Sequence, residues 1–190
     1  MNGNLYDFVL APFEKLVLKK LRLKLLKKAH GKTLEIGFGT GLNFPYYSKD
    51  VQYIGIEPDE KMAQVAQKRA SHYHLQIGEG DAQSLAFGDS SFDCVVATLV
   101  FCTIPDPDKA IEEVFRVLRP GGTFLLLEHV RRNTPIAGRL LDFFTPLWKQ
   151  IAGGCHLNRD PSKQLIDVGF KVEAMTTLWG GMGKVWELRK

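Results

Sequence analysis

The residues best suited to do chemistry sit at the ends of three short apolar runs. The first is Glu35-Ile36-Gly37-Phe38-Gly39-Thr40-Gly41. Glycines at 37, 39 and 41 let the backbone turn sharply and approach a ligand closely, because no Cβ intervenes. The loop leaves a strand and is expected to lead into a helix, whose first amides can receive a carboxylate or other acceptor. Glu57 ends the next apolar run, and a carboxylate there can accept hydrogen bonds from both hydroxyls of a ribose. Gly80-Asp81-Ala82 follows a third run. Asp81 can accept from an adenine amino group, and Gly80 permits close approach.

Two cofactor classes use a loop of this kind. A dinucleotide site wants G-x-G-x-x-G, with the pyrophosphate on a helix N-terminus. Here the spacing is G-x-G-x-G, and Leu42 stands where the third dinucleotide glycine would fall. Glu57 suits either class. The carboxylate at Asp81 favours an adenosyl cofactor, with a nicotinamide dinucleotide as the weaker reading.

These groups can act together only if the chain gathers the three run ends. Residues 34–36, 53–56, 74–77, 92–97 and 123–128 read as strands. The fourth is nearly all apolar, as a strand buried on both faces should be. Residues 59–70 read as a helix, with Pro58 ahead of it and acidic residues in its first turn. Residues 107–118 carry Ile111, Val114, Phe115 and Leu118 at helical spacing, and Arg119-Pro120-Gly121-Gly122 ends that helix. Strands alternating with helices imply parallel βαβ units with helices on both faces of a sheet. Residues 160–168 read as a further helix, and 170–177 and 184–188 as two last strands.

A chain of 190 residues, 45% hydrophobic and 24% charged, suits one globular domain with a sizeable core. No apolar run reaches the roughly 18 residues that span a bilayer, and no signal-peptide pattern opens the chain. Cytoplasmic residence is therefore expected. Residues 1–32 carry eight Lys/Arg against two Asp/Glu, while the rest is slightly acidic. Charge confined to one segment argues against general nucleic-acid binding. That segment reads as a helix with an apolar stripe of Phe13, Val17, Leu21 and Leu25, from which Leu16, Leu23 and Leu26 fall away. It would cover the sheet with its lysines in solvent, close over the cofactor as a lid, or meet anionic lipid as a peripheral membrane contact. Cys94, Cys102 and Cys155 are odd in number and lack Cys-x-x-Cys spacing, and the histidines lack ligand spacing. Neither a disulfide framework nor a metal is expected.

Segments 34–41, 55–58, 80–82 and 116–122, in that order, resemble the motif set of class I S-adenosylmethionine-dependent methyltransferases of the methyltransferase domain type 11 kind. The resemblance implies an α/β, Rossmann-like three-layer sandwich. Its seven-stranded sheet would be mostly parallel, with an antiparallel last strand and helices on both faces. It divides a single domain into a helical cap (1–32), a cofactor-binding core (33–130) and an acceptor-side insertion with the final strands (131–190). Glu35, Gly37, Phe38, Gly39 and Gly41 would surround the methionine part of S-adenosylmethionine. Glu57 would hold the ribose, with Pro58 and Met62 beside the adenine, and Gly80, Asp81 and Ala82 would contact the adenine. Thr98 and Leu99 would lie near the sulfur, and S-adenosylhomocysteine would be the product.

Methyl transfer from a sulfonium is an in-line displacement, so alignment of the acceptor matters most. A base is needed only where the acceptor must lose a proton. The acceptor pocket is expected at the carboxyl ends of the strands. Phe101, Cys102, Thr103, Glu128 and Arg131 are candidates to line it, and His129 is the candidate base. The stretch after the fourth strand lacks the motif that holds a flipped base in DNA amino-methylating enzymes, so a small-molecule acceptor is expected. Residues 140–148 are rich in large apolar groups, either as a helix packed on the sheet edge or as a roof over the acceptor that includes Trp148 and Cys155. Glu128-His129-Val130, with Pro146-Leu147-Trp148 and Gly154-Cys155 followed by Arg159, resembles the thiol-methyltransferase-like branch and bacterial phospholipid and quinone methyltransferases. It implies an apolar or membrane-associated acceptor. A protein that holds the cofactor without transferring methyl is the second reading.

Overall fold

The computed structural model of the protein describes residues 11, 14–73, 75–132 and 134–190. Phe13 and His74 lie outside the described residues, as does the side chain of Leu16. Seven strands form one sheet: β1 (Lys32–Ile36), β2 (Gln52–Ile56), β3 (Gln76–Gly78), β4 (Phe92–Thr98), β5 (Leu118–His129), β6 (Lys171–Leu178) and β7 (Gly183–Arg189). Their order is β3-β2-β1-β4-β5-β7-β6. The first five run parallel, and β7 runs antiparallel to both β5 and β6. This is the sheet expected from the alternation of strands and helices and from the family resemblance.

The helices are α1 (Lys19–Leu26), α2 (Glu60–Tyr73), α3 (Pro107–Val117), α4 (Pro135–Ile151) and α5 (Ser162–Val168). Strand alternation sends side chains to two layers. Val95 and Ala97 of β4, with Phe124 and Leu126 of β5, face Ile111 and Val114 of α3. Cys94 and Val96, with Leu125 and Leu127, face Leu18, Leu25 and Leu26. Asp106 caps α3, accepting the Lys109 N–H at 3.2 Å with Pro107 in the first turn. The chain from 119 to 122 bulges out before β5 rejoins β4, so Phe92 pairs with Leu118 and Cys94 with Thr123.

Three local expectations change. The glycine loop runs into turns and a short 3-10 turn, Phe44–Tyr46, and not into an α-helix. Gly39 and Gly41 are poor helix formers, and Pro45 lacks the N–H a growing helix would need. The buried face of the N-terminal helix is Leu18, Arg22, Leu25 and Leu26, in place of a stripe through Leu21. A π-turn over Glu14–Leu18 precedes α1 and shifts the face by adding residues per turn. The third is in α4, where the first of two expected arrangements falls away: its apolar side is not laid on the sheet. Gly138 and Thr145 are its buried residues, while Phe143, Phe144 and Leu147 are exposed.

Candidate functional site

The three glycines of the loop all adopt left-handed backbone, with φ of 65°, 56° and 82° at Gly37, Gly39 and Gly41. Their roles differ. A Cβ on Gly37 would stand 2.6 Å from Val100 Cγ1, and one on Gly41 would run into the Phe44 ring. These two glycines let the loop pack. A Cβ on Gly39 would meet nothing within 4 Å among the described residues, so that backbone borders open space.

Glu57 stands at this opening. Its carboxylate accepts the N–H of Gly39 at 2.9 Å and of Asp59 at 2.9 Å. Burial pushes its carboxyl above the usual carboxylate range, and the two amides partly offset this. At the next strand end, a Cβ on Gly80 would press on Ile56 at 2.9 Å. Asp81 is exposed and holds the Gln83 N–H at 2.9 Å, with Ala82 buried behind it. Pro58 is exposed and Met62 half-buried in the first turn of α2. An open glycine backbone flanked by two strand-end carboxylates fits an adenosyl cofactor.

Other candidates take different places. Phe38 turns its ring into the core, with its centroid 5.8 Å from that of Phe44, and so offers the opening only its backbone. Glu35 is buried, and both its oxygens are engaged, by Asn43 Nδ2 (2.6 Å), Tyr53 OH (2.7 Å) and Tyr47 OH (3.0 Å). Burial raises its carboxyl against these donors and against Arg22. Thr98 Oγ1 accepts from Arg22 Nη1 at 2.7 Å and from Asn43 Nδ2 at 2.9 Å. Glu35, Asn43 and Thr98 therefore form one polar floor beneath the loop, closed from above by α1 through Arg22.

Arg22 and Asn43 carry no motif, so nothing in the sequence reading singles them out. Arg22 is the only arginine among the lysines between Lys15 and Lys28. That is the signal that could have found it, since a guanidinium suits a buried, multiply bonded position where an ammonium would not. Beside it, Leu99 sits at φ 59°, a conformation that costs a branched residue about 1–3 kcal/mol. Its N–H donates to the Leu127 carbonyl at 2.8 Å, which aims the chain leaving β4 across the end of β5.

Beyond Leu99 lies a second group. Cys102 Sγ is 3.7 Å from the Leu99 carbonyl. Glu128 is buried at the end of β5. His129 Nε2 lies 3.0 Å from Cys155 Sγ, which follows α4 in the chain. The ligand atoms of Cys102, His129 and Cys155 all lie within 4.8 Å of one another. Linear spacing hides this because three separate elements supply the three residues. The Cys102 thiol beside it, followed by His129, holds Cys155 well below the usual thiol range, while Cys102 is pushed up. Burial alone would lower His129, but Cys155 and Glu128 outweigh it and raise its pKa. His129 is thus the hydrogen-bond partner of Cys155, and that contact occupies its Nε2.

The remaining candidates frame this group. Phe101 is buried, its ring centroid 6.0 Å from that of Phe124. Thr103 is exposed and donates to the Val100 carbonyl at 2.8 Å. Arg131 pairs with Asp142 at 2.7 Å and lies over Gly138, tying α4 to the end of β5. Trp148 is partly exposed on α4 but reaches Cys155. Arg159, the last residue of the stretch resembling the thiol-methyltransferase-like branch, donates to the Phe101 carbonyl at 2.9 Å and holds the chain leaving β4. A cavity of about 240 Å³ opens here, lined by Cys102, Glu128, Arg159 and Gln164 among others.

A methyltransferase domain model matches residues 34–126. The demethylmenaquinone methyltransferase of Lactobacillus johnsonii is 30% identical over 168 residues, covering 84% of this chain and 69% of that protein. The chain belongs to the S-adenosylmethionine-dependent methyltransferases. Human thiol S-methyltransferase TMT1B is 38% identical over 160 residues, covering 78% of this chain. The chain spans 64% of that relative's length. The crystal structure of the [4+2]-cyclase SpnF matches with a TM-score of 0.73 at 20% identity, covering 91% of this chain and 79% of that one. A likeness to a cyclase shows the fold alone, since one fold hosts several chemistries. S-adenosylmethionine is the cofactor that family and fold imply.

Proposed function

We propose that this methyltransferase acts on a small apolar thiol drawn from, or partitioned into, a membrane surface. The observation that carries the reading is the buried Glu128 carboxylate. It lies at the end of β5, across from the strained Leu99, and among the described residues its Oε2 has no hydrogen-bond partner. The similarity to a thiol S-methyltransferase supports the choice of acceptor.

S-adenosylmethionine supplies an activated methyl group on a sulfonium. On the donor side, Glu57 accepts from the ribose hydroxyls, Asp81 and Ala82 take the adenine edge with Met62 and Pro58 beside it, and the Gly39 backbone admits the methionine part. Arg22, Asn43 and Glu35 hold the floor of this cradle rigid. On the acceptor side, a thiol must lose its proton before its sulfur can attack. Glu128 is the group to take it. Burial raises its carboxyl above the usual range, chiefly by desolvation, which makes it a better base than an ordinary carboxylate. His129, first in line as a base by residue type, is already engaged by Cys155.

The exposed side of α4 supports the membrane part of the proposal. Ile136, Leu140, Phe143, Phe144, Leu147 and Trp148 form one apolar stripe, with Arg139 and Lys149 on the same helix. This is a stronger lipid-facing surface than α1, whose buried side rests on the sheet. Among the described residues, no helix is long and apolar enough to cross a membrane.

Labelled S-adenosylmethionine offered with an alkyl thiol tests the chemistry. Label is expected on the thiol sulfur, and Glu128→Gln is expected to abolish transfer while retaining cofactor binding. Cofactor binding by the intact protein with no label on any thiol, quinone or phospholipid would favour the reading of a protein that only holds the cofactor. Flotation with anionic vesicles tests the surface. Loss of binding in Phe143→Asp is expected, and equal flotation of the variant would remove α4 from the account.

A further inference from the structure

We infer that Cys102, His129 and Cys155 form a binding site for a thiophilic divalent cation of the zinc type, with one position left open for the acceptor sulfur. The inference rests on the proposed thiol methylation for the role of the open position, but not for the cation itself.

Two thiols and one imidazole converge on one point, with all three ligand atoms within 4.8 Å of one another. Zinc–sulfur bonds of about 2.3 Å in a tetrahedron put ligand atoms roughly 3.7 Å apart. The three atoms therefore need shifts of no more than about an ångström to close on a cation. The supporting backbone is fixed. The His156 N–H donates to the Cys102 carbonyl at 2.8 Å, and the Arg131 N–H to the Arg159 carbonyl at 2.8 Å. These bonds stitch the segment carrying Cys155 to the ends of β4 and β5. Cys102 itself is buried, so its thiol has little solvent to turn to.

A second observation points to a ligand. Glu128 Oε2 is buried without a partner among the described residues, and Glu128 Oε1 is 3.9 Å from His129 Nε2. A buried orphan acceptor is costly unless something fills the site. A cation held by the three neighbouring ligands would supply the missing positive charge.

The donor set indicates the class of cation and its use. Two sulfurs and one nitrogen select a soft or borderline ion over magnesium or calcium. Two cysteines and one histidine, with the fourth position open, form a catalytic and not a closed structural zinc set. A cavity of about 240 Å³ adjoins the site at Cys102 and Glu128, though His129 and Cys155 do not line it, and it has room for a small organic thiol. As the acceptor sulfur bonds to the cation, its S–H bond breaks. The proton leaves to solvent, and the sulfur keeps its electron pair for attack on the methyl group. A coordinated thiol is deprotonated without any need for high pH.

Zinc and cobalt titration of the reduced full chain tests the assignment. One equivalent of cation is expected, and cobalt should give the thiolate charge-transfer band and tetrahedral ligand-field bands. Cys155→Ser and His129→Gln should each lose the band. Glu128→Gln should weaken affinity about 10–100-fold as an outer-shell change. Cys94→Ala, on the far face of the sheet, should keep the site. Circular dichroism of each variant reports folding separately. Absence of stoichiometric binding, or a band that survives Cys155→Ser, would overturn the site. So would a Cys102–Cys155 disulfide on oxidation with no cation taken up by the reduced chain. Stripping the cation should stop thiol methylation while calorimetry still shows S-adenosylmethionine binding. Full methylation by the stripped protein would overturn the role of the open position. Loss of cofactor binding in the untreated protein would instead count against the methyltransferase reading.

Discussion

The proposed donor and acceptor halves of this molecule are built in opposite ways. The donor half takes its groups from the ends of β1, β2 and β3, each within a few residues of a strand. Gly39, Glu57 and Asp81 arrive together because parallel strands bring their carboxyl ends to one edge. The acceptor half takes Cys102 from beyond β4, Glu128 and His129 from β5, and Cys155 from the turn after α4. Its groups meet where Leu99 redirects the chain leaving β4 and Arg159 holds that same segment. A site read from strand ends tolerates change in distant parts, whereas a site assembled from loops depends on each clamp.

The first way to test this contrast is at the floor the two halves share. Arg22→Ala leaves Glu14 and Asn43 Oδ1 without the guanidinium and takes from Thr98 one of its two donors. Breaking a buried pair of this kind costs about 3–5 kcal/mol. Denaturant unfolding should show that loss, and Arg22→Lys should recover only part of it.

Gly37→Ala comes next. A Cβ there meets Val100 and must accept φ of 65°. Strain and overpacking together should cost about 2–4 kcal/mol. Adding Val100→Ala to the same chain should recover the overpacking part.

Glu57 gives a smaller and pH-dependent effect. Replacement by Gln should weaken S-adenosylmethionine binding by about 1.5–3 kcal/mol, the worth of a hydrogen bond to a charged group. In the intact protein the carboxyl titrates above the usual carboxylate range because it is buried. Cofactor affinity should therefore fall as pH drops through that raised range, where the carboxylate loses its accepting form. Stability should move the other way. A carboxyl with a raised folded pKa is costly to keep ionised, and protonation relieves that cost as pH falls. Calorimetry and thermal melts across the acid range check both signs, and Glu57→Gln should flatten the binding profile.

The smallest effect is expected at Arg131→Ala. Its pair with Asp142 is exposed, so the melting temperature should hardly move. Any loss should appear in thiol methylation, through α4 and the Cys155 segment.

The same contrast explains what the sequence discloses. The sheet and its helices were legible because strand and helix periodicities are local. The places of Gly37, Gly39, Gly41, Glu57 and Asp81 at the strand ends were legible because each lies within five residues of its strand. Pro45 turned the expected helix after the loop into a 3-10 turn, and the π-turn before α1 moved its buried face. Both are register effects, to which apolar spacing is blind. Cys102, His129 and Cys155 lie 27 and 26 residues apart in the chain. Motif spacing says nothing about groups that loops bring together across a sheet edge.

The central claim is that the open backbone at Gly39 is the donor site. Gly39→Val places a side chain in that opening without touching any described neighbour within 4 Å of its Cβ. Calorimetric titration with S-adenosylmethionine should show one molecule bound by the intact chain and none by this variant. The variant should still fold, with a loss of only about 1–3 kcal/mol for the strained backbone. Equal binding by the two proteins, or no binding by the intact one, would contradict the account.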